Sequence, residues 1–304
     1  MNILVIGGNG FIGSHLVDYL LFRGHKVRVL DVSYEKFRKP QQNVDYRIAS
    51  LESMPDLYES LLSIDLVFHL ASSSLPCTSN IDTISDIKKN LVATINILDQ
   101  IIKLGINRIV YFSSGGAVYG NTDKLPISEE HPLQPISSYG IIKVTIEKYL
   151  FLYQRLYGLN SLIIRPSNPY GPRQGHYMAQ GVISTFLRKI KMNERITVFG
   201  DGNSAKDYIY IKDLIDLCYE LCFSNEIGVF NLGSGIGTTI NQIINQIKIT
   251  TGRNFEIDNA DKQIYDVDHF VLDVSKAFNL LGAYPSTSLE EGVSKTWNWI
   301  NSIE

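Results

Sequence analysis

Residues 2–31 read NILVIGGNGFIGSHLVDYLLFRGHKVRVLD, and the order of residue types along them decides the fold. An apolar run of strand length meets the glycine-rich turn GGNGFIG at 7–13. A segment with helical spacing of apolar residues then runs to Gly24, and KVRVLD follows as a second strand. Glycine at Gly7, Gly10 and Gly13 permits a tight turn and close approach to the backbone. The helix behind the turn offers unpaired N–H groups and the positive end of its dipole to a pyrophosphate. Asp31, at the end of the second strand, stands where a carboxylate would accept ribose hydroxyls and repel a 2′-phosphate. The stretch therefore predicts a dinucleotide site, with NAD favoured over NADP; Arg38 and Lys39, which could serve a 2′-phosphate, lie several residues further on. The plainer reading is that the glycines only tighten a strand-to-helix turn and that Asp31 is a solvated strand end.

Outward from this stretch the alternation continues. IDLVFHLA reads as a strand, Asp86 to Leu104 as a helix ended by Gly105, RIVYFSS as a strand, and the segment around Tyr139 as a helix followed by the strand NSLIIRPS. Strands apolar throughout and separated by helices predict a parallel sheet covered on both faces, a Rossmann-type doubly wound α/β fold. After Pro166 the pattern loosens into SNPYGPRQGHY, a helix at Val182 to Lys191 and the strand and turn ITVFGDG. The expected organisation is an NAD-binding domain over 1–166, with a returning segment near 227–252, and a smaller substrate-binding domain over 167–304.

With 304 residues, 44% hydrophobic and 19% charged, the chain has the composition of a folded globular protein. A net charge of −3, with basic residues scattered along the sequence, argues against nucleic acid as a partner. Cys77, Cys218 and Cys222 lack partners at metal-ligand spacing and read as free thiols of a reducing compartment, so no metal is assigned. Met1 leads straight into the first strand and no apolar run reaches the length of a membrane span, so a cytoplasmic protein is expected.

Ser137 to Leu150, SSYGIIKVTIEKYL, places Tyr139 and Lys143 four residues apart on one helical face. An ammonium there stabilises a phenolate and lowers a pKa that is about 10 when unperturbed. Alone, the spacing proves little in a chain with 17 tyrosines, and a purely structural pair is the alternative.

Together GGNGFIGSHL, DLVFHLAS, KKNLVATINIL, YFSSGGAVYG, SSYGIIK, RPSNPYGPRQ, FGDGNSAKDYIYIKDL and FNLGSG resemble the extended short-chain dehydrogenase/reductase superfamily. Within it they look like the NAD-dependent nucleotide-sugar epimerase/dehydratase group. The resemblance implies that Tyr139 is the catalytic base and that Lys143 supports it and holds the nicotinamide ribose. It implies cofactor contacts from Gly7, Gly10, Phe11, Ile12 and Gly13 in the turn, and from Asp31, Ser50 and Leu51 beyond the second strand. Leu70, Ala71, Ser72, Asn90 and Pro166 complete that set. Ser72, Ser114, Tyr139, Asn168 and Lys206 would contact a nucleotide-diphosphate sugar. Relatives pair the helices at Asp86 to Leu104 and around Tyr139 to Leu156 across a homodimer, and both carry extra apolar positions here.

The chain departs from the family pattern in places. The hydroxyl residue four before the Tyr of the VYG turn is replaced by Gly115, and the nearest hydroxyls belong to Ser113 and Ser114. Ser114 is the expected surrogate; alternatively both serines merely finish the strand. Gly116 and Ala117 occupy the positions of the Asp-Glu pair of related dehydratases, so elimination of water lacks its acid. Lys206 and Gln263 stand where phosphate-binding arginines are usual, Ser50 replaces an adenine-binding Asp, Asn168 could be a turn former, and His69 reads as a satisfied core histidine. What the resemblance implies is NAD-dependent 4-epimerisation through a 4-keto sugar, serving surface polysaccharide synthesis. A nucleotide-sugar 4-ketoreductase is one alternative, and a nonenzymatic NAD-binding sensor or scaffold another.

Overall fold

The computed structural model describes residues 1–74, 78–175, 181–261, 267 and 269–303; Cys77 and Gln263 lie outside them. In chain order the strands are β1 (Asn2–Ile6), β2 (Lys26–Asp31), β3 (Val44–Ile48), β4 (Leu66–His69), β5 (Arg108–Phe112) and β6 (Asn160–Pro166). They continue with β7 (Asn168–Tyr170), β8 (Ile196–Phe199), β9 (Ala205–Tyr210), β10 (Gly228–Leu232), β11 (Gly237–Thr239) and β12 (Ile257–Ala260). Seven of them form one sheet in the order β10-β6-β5-β4-β1-β2-β3. β1 runs parallel to both β2 (Ile3 opposite Val27) and β4 (Ile3 opposite Leu66). The doubly wound fold is thus present, and strand order reverses between β1 and β4, where such sheets open a crevice beyond their carboxyl ends.

Residues 3–6 of β1 and 66–69 of β4 are buried, which explains why these strands are apolar throughout. β3 carries no such mark. As the edge strand beside β2 it is largely accessible and includes Asp45 and Arg47, so its sequence does not announce a strand.

The helix expected at 86–104 begins earlier and is not uniform. Asp82 caps it at Thr83 by accepting the Ser85 N–H at 3.0 Å, and a π-helical turn, Ile87–Val92, precedes the α-helix Ala93–Lys103. Side chains enter the ladder at that turn. The Asn90 amide donates to the Asp86 carbonyl at 3.1 Å, and Thr94 Oγ1 donates to the Asn90 carbonyl at 2.6 Å. The helix Ser138–Tyr157 starts where Ser137 Oγ accepts the Gly140 N–H and ends at Gly158, whose φ of 71° is the left-handed stop glycine tolerates.

The chain divides into two compact units, Met1–Gly120 with Pro132–Arg165 and Tyr219–Phe230, and Asn121–His131 with Pro166–Cys218 and Asn231–Glu304. In the second unit β9 pairs with β7 and β11, and β8 with β12. Asp207 in β9 is fully buried and accepts the N–H groups of Ser234, Gly235 and Leu272, which fixes the turn after β10. Of residues 227–252, Gly228–Phe230 belong to the first unit and the helix Ile240–Thr251, closed by a Thr239–Gln242 capping box, to the second. Among the described residues no helix is long and apolar enough to cross a membrane.

Candidate active site

The glycine turn follows β1, with its last residues opening the helix Phe11–Phe22. A Cβ on Gly13 would sit 2.1 Å from the Gly7 carbonyl oxygen, and one on Gly7, whose φ is +82°, 2.7 Å from the Ala71 nitrogen. Those two glycines are demanded by the fold itself. Gly10 is different: a Cβ there would meet only the Gly7 oxygen, at 3.4 Å, and the residue is exposed at the start of the helix. Close approach of an outside group, not internal packing, is what glycine serves at this position. Asn9 Oδ1 is buried and has no partner among the described residues, and Leu70 and Ala71 bring the end of β4 alongside by donating their N–H groups to the Ile6 carbonyl. Phe11 and Ile12 are half-buried beside them.

Asp31 is tied to the same turn. Its carboxylate accepts the Asn9 N–H at 3.0 Å and the Ser33 N–H at 3.4 Å. Burial raises its pKa and those N–H groups pull it back down. Arg38, which could have favoured a 2′-phosphate, is ion-paired to Asp18 and, at 2.9 Å, to Glu35. Ser50 and Leu51 follow β3, Ser50 exposed and Leu51 packed against the core. A dinucleotide's pyrophosphate and ribose fit this arrangement of open glycine, helix end and carboxylate.

A second cluster lies around the helix Ser138–Tyr157. Ala71, Ser72, Asn90, Tyr111, Tyr139 and Lys143 line one recess. Lys143 Nζ donates to the Phe112 carbonyl at 2.7 Å and lies 5.5 Å from the Tyr139 ring centre. The Tyr139 phenol is hydrogen-bonded to Ser114, the residue that caps the short helix Gly115–Val118. What brings these two together is a glycine. A Cβ on Gly140 would lie 2.4 Å from the Ala117 carbonyl oxygen, so the short helix and the long one touch only because residue 140 has no side chain.

The electrostatics of the protein alone run against the expectation that Lys143 lowers the Tyr139 pKa. Burial pushes Tyr139 up to about 12; the Ser114 bond offsets part of this and the Asp86 charge adds to it. Burial likewise brings Lys143 down to about 8, against the opposing pull of Glu147 and Asp86. The cost of desolvating a phenolate exceeds what one hydrogen bond returns.

Four residues that the sequence reading passed over are built into this cluster. Asp86, buried, accepts from Asn90 Nδ2 at 2.7 Å and from Ser138 Oγ at 2.7 Å. Asn90 Oδ1 in turn accepts the Ser73 N–H at 2.9 Å. Glu147 and Arg165 are buried and joined by two hydrogen bonds, and Gly140 makes the contact just described. The signal was spacing: Asp86 stands four before Asn90, and Glu147 four after Lys143, each on one helical face. His69 Nε2 bonds Thr94 Oγ1 at 2.9 Å, whereas its Nδ1 has no partner among the described residues; burial holds its pKa down at about 3.

Pro166, Asn168 and Lys206 fall in the second unit. Pro166 ends β6 and is buried. The Asn168 amide donates to the Asp207 carbonyl at 2.9 Å, and Lys206 lies in β9 opposite Thr238. No group of three or more His, Cys, Asp or Glu that could hold a metal occurs among the described residues.

The family described as NAD dependent epimerase/dehydratase matches residues 3–233. The crystal structure of the Thermotoga maritima UDP-glucose 4-epimerase with UDP-glucose is 37% identical, covers 99% of each chain and superposes with a TM-score of 0.93. The UDP-glucose 4-epimerase of Mycolicibacterium smegmatis is 32% identical over 97% of both chains. A dTDP-4-dehydro-6-deoxyglucose reductase of Escherichia coli is 34% identical over 96% of this chain and 95% of its own. The chain belongs to the NAD dependent epimerase/dehydratase family and is an NAD-dependent nucleotide-sugar epimerase, which sets aside the nonenzymatic reading.

Proposed function

We propose that the reaction is 4-epimerisation of a UDP-linked hexose or N-acetylhexosamine through a 4-keto sugar. The enzyme would supply surface polysaccharide precursors in the cytoplasm, and would act as a homodimer. The observation that carries this reading is the Ser114–Tyr139 hydrogen bond beside Lys143, in a turn whose residues Gly116 and Ala117 provide no acid for elimination.

NAD, when bound, would supply a reversible hydride acceptor. The chain does the rest. Backbone N–H groups at Gly10–Gly13, with Asp31, would hold the dinucleotide, and Lys143 would hold its nicotinamide ribose. Tyr139 Oη takes the proton of the C4 hydroxyl and gives it back once the keto sugar presents its other face. Ser114 bonds that oxygen and so shares the charge it carries. Asn168 and Lys206 would bind the sugar diphosphate, Lys206 as a point charge where a guanidinium would grip in two places.

UDP-glucose bound to the Thermotoga relative supports a UDP-hexose. Ile84, Ile87 and Val92, with Ile141, Leu152 and Leu156, leave apolar side chains exposed on the two helical segments, which supports pairing through them. Cys218 and Cys222 are both buried and are not joined to one another by a disulfide, in keeping with a reducing compartment.

The test is incubation with a panel of UDP-, dTDP- and GDP-sugars, with chromatography of the products and a tally of the cofactor. Interconversion of 4-epimers without net oxidation of NADH is expected. Turnover that consumes one NADH per sugar would instead establish a one-way 4-ketoreductase, the activity to which the similarity with the E. coli reductase points.

A further inference from the structure

The helix Ser138–Tyr157 carries Tyr139, Lys143 and Glu147 at successive four-residue steps, so that the three side chains follow one another along a single face. Glu147 is wholly buried, in a place where a bare carboxylate would be expelled or protonated, yet it is supplied with partners on both oxygens. Oε1 accepts from Ser113 Oγ at 2.5 Å and from Arg165 Nε at 3.0 Å, and Oε2 accepts from Arg165 Nη2 at 2.5 Å. Arg165 is itself steadied by Tyr119, whose hydroxyl it bonds at 2.8 Å and whose ring it overlies at 4.9 Å. Replacing a buried ion pair by apolar residues of similar volume is often neutral or stabilising, so a buried pair is weak evidence of a purely stabilising role.

We propose that Glu147 is a positioning residue: its charge, held in place by Arg165 and Ser113, keeps Lys143 an ammonium and directs it at the Phe112 carbonyl and the Tyr139 side. The inference rests on the assignment of Lys143 to the reaction given above.

Lys143 is 5% exposed, and the Phe112 carbonyl to which it donates carries no net charge. The groups that face it are Tyr139 and Glu147 on its own helix, Asp86 from the preceding helical segment, Tyr111 on β5 with its ring centre 4.8 Å from Nζ, and His69 on β4. His69 is neutral near pH 7 and Tyr111 is kept protonated by burial; the rings of Tyr111 and Tyr139 favour the cation through their faces, and the negative charges among these groups are the two carboxylates. Of these Glu147 acts more strongly. Asp86 also opposes ionisation of Tyr139, whereas the effect of Glu147 falls on the ammonium.

The test follows the Lys143 amine directly, in protein without substrate. Its Nζ and Cε resonances, assigned by loss in Lys143→Arg, are titrated by NMR in the parent, in Glu147→Gln and in Glu147→Met/Arg165→Met. The double variant removes the charge while leaving no unpaired guanidinium, so it keeps the experiment open if the single variant fails to fold. In both variants the titration midpoint should fall by about one pH unit or more. A merely structural role predicts that the double variant, once folded, titrates like the parent; that result overturns the proposal. The pH profile of epimerisation separates the two layers. A fall in the NMR midpoint together with a matching shift of the kinetic limb supports both the role of Glu147 and that of Lys143. A fall without any kinetic shift upholds the Glu147–Lys143 coupling and removes Lys143 from the reaction.

Discussion

The turn at Gly7–Gly13 offers its partner almost nothing but backbone: three glycines that packing demands, one that it does not, and the N–H groups of a helix start. The helix Ser138–Tyr157 offers the opposite. Its working face is made of a phenol, an ammonium and a carboxylate, all desolvated to some degree, and each is held by a named neighbour. Backbone geometry is set once the chain folds and is insensitive to pH. Buried side-chain charges are adjustable, and their state depends on every group around them. The first arrangement suits a cofactor that must stay in place through many turnovers, the second a proton that must leave and return.

The sharpest way to separate the two regions is to remove the phenol. Tyr139→Phe should lower turnover by roughly a hundred- to ten-thousandfold, the range of a lost general base, while NAD binding by calorimetry stays at the parent value. Loss of NAD binding in step with activity would mean that the two regions are not separable as described.

The mirror experiment is made in the turn. Gly13→Ala drives a methyl to 2.1 Å from the Gly7 carbonyl oxygen, backbone that cannot step aside. It should cost roughly 1–3 kcal/mol or more of stability, read as a lower thermal midpoint, and abolish NAD binding. Gly10→Ala, whose methyl meets only that oxygen, and at 3.4 Å, should leave the thermal midpoint near the parent and still weaken NAD. Equal stability losses in the two variants would break the distinction between glycines required by packing and a glycine required by a ligand.

Sequence made the backbone region the easier to read. Gly7, Gly10 and Gly13 mark a conformational need directly, and a strand buried on both faces, such as β1, shows as an unbroken apolar run. β3 carries no such run because, at the sheet's edge, its residues stay largely accessible on both faces. In the side-chain region Tyr139 and Lys143 are visible through their spacing, Ser114 is expected from the family pattern, and Glu147 follows Lys143 at one more four-residue step. Asp86 and Arg165 come from stretches of chain far from that helix, and their meeting with it is a product of sheet order, which periodicity does not report. The same gap explains why a lowered Tyr139 pKa was expected. Spacing shows the ammonium but not the depth of burial, and burial carries the larger effect.

Within the side-chain region Ser114→Ala tests how far one hydrogen bond tunes the phenol. The Ser114 bond lowers the Tyr139 pKa, because it stabilises the phenolate more than the phenol. Without it the pKa rises further, so the limb along which activity increases with pH should move to higher pH. At neutral pH the rate should fall roughly ten- to a hundredfold, the worth of a bond to a charged group, and Ser114→Thr should restore part of it. A parent-like pH limb in Ser114→Ala would remove Ser114 from the reaction and leave Tyr139 without a hydroxyl partner from that turn.

The smallest effect is expected where the backbone region borrows a side chain. Asp31 accepts the Asn9 N–H, so part of its work is to hold the turn, and Asp31→Asn keeps one oxygen for that purpose. What the variant loses is charge: the ribose bonds weaken and the repulsion of a 2′-phosphate disappears. NAD affinity should fall roughly five- to tenfold by calorimetry, and NADP affinity should rise while remaining the weaker of the two. The second part follows from Arg38. Its guanidinium is already engaged by Asp18 and Glu35, so removing the carboxylate abolishes a penalty without supplying a phosphate ligand. Adding Asp18→Asn loosens that hold, and NADP should then gain again. If Asp31→Asn alone made NADP the preferred cofactor, Arg38 would have to be free to turn toward it, and the ion pairs that restrain it would count for nothing in the choice between the two dinucleotides.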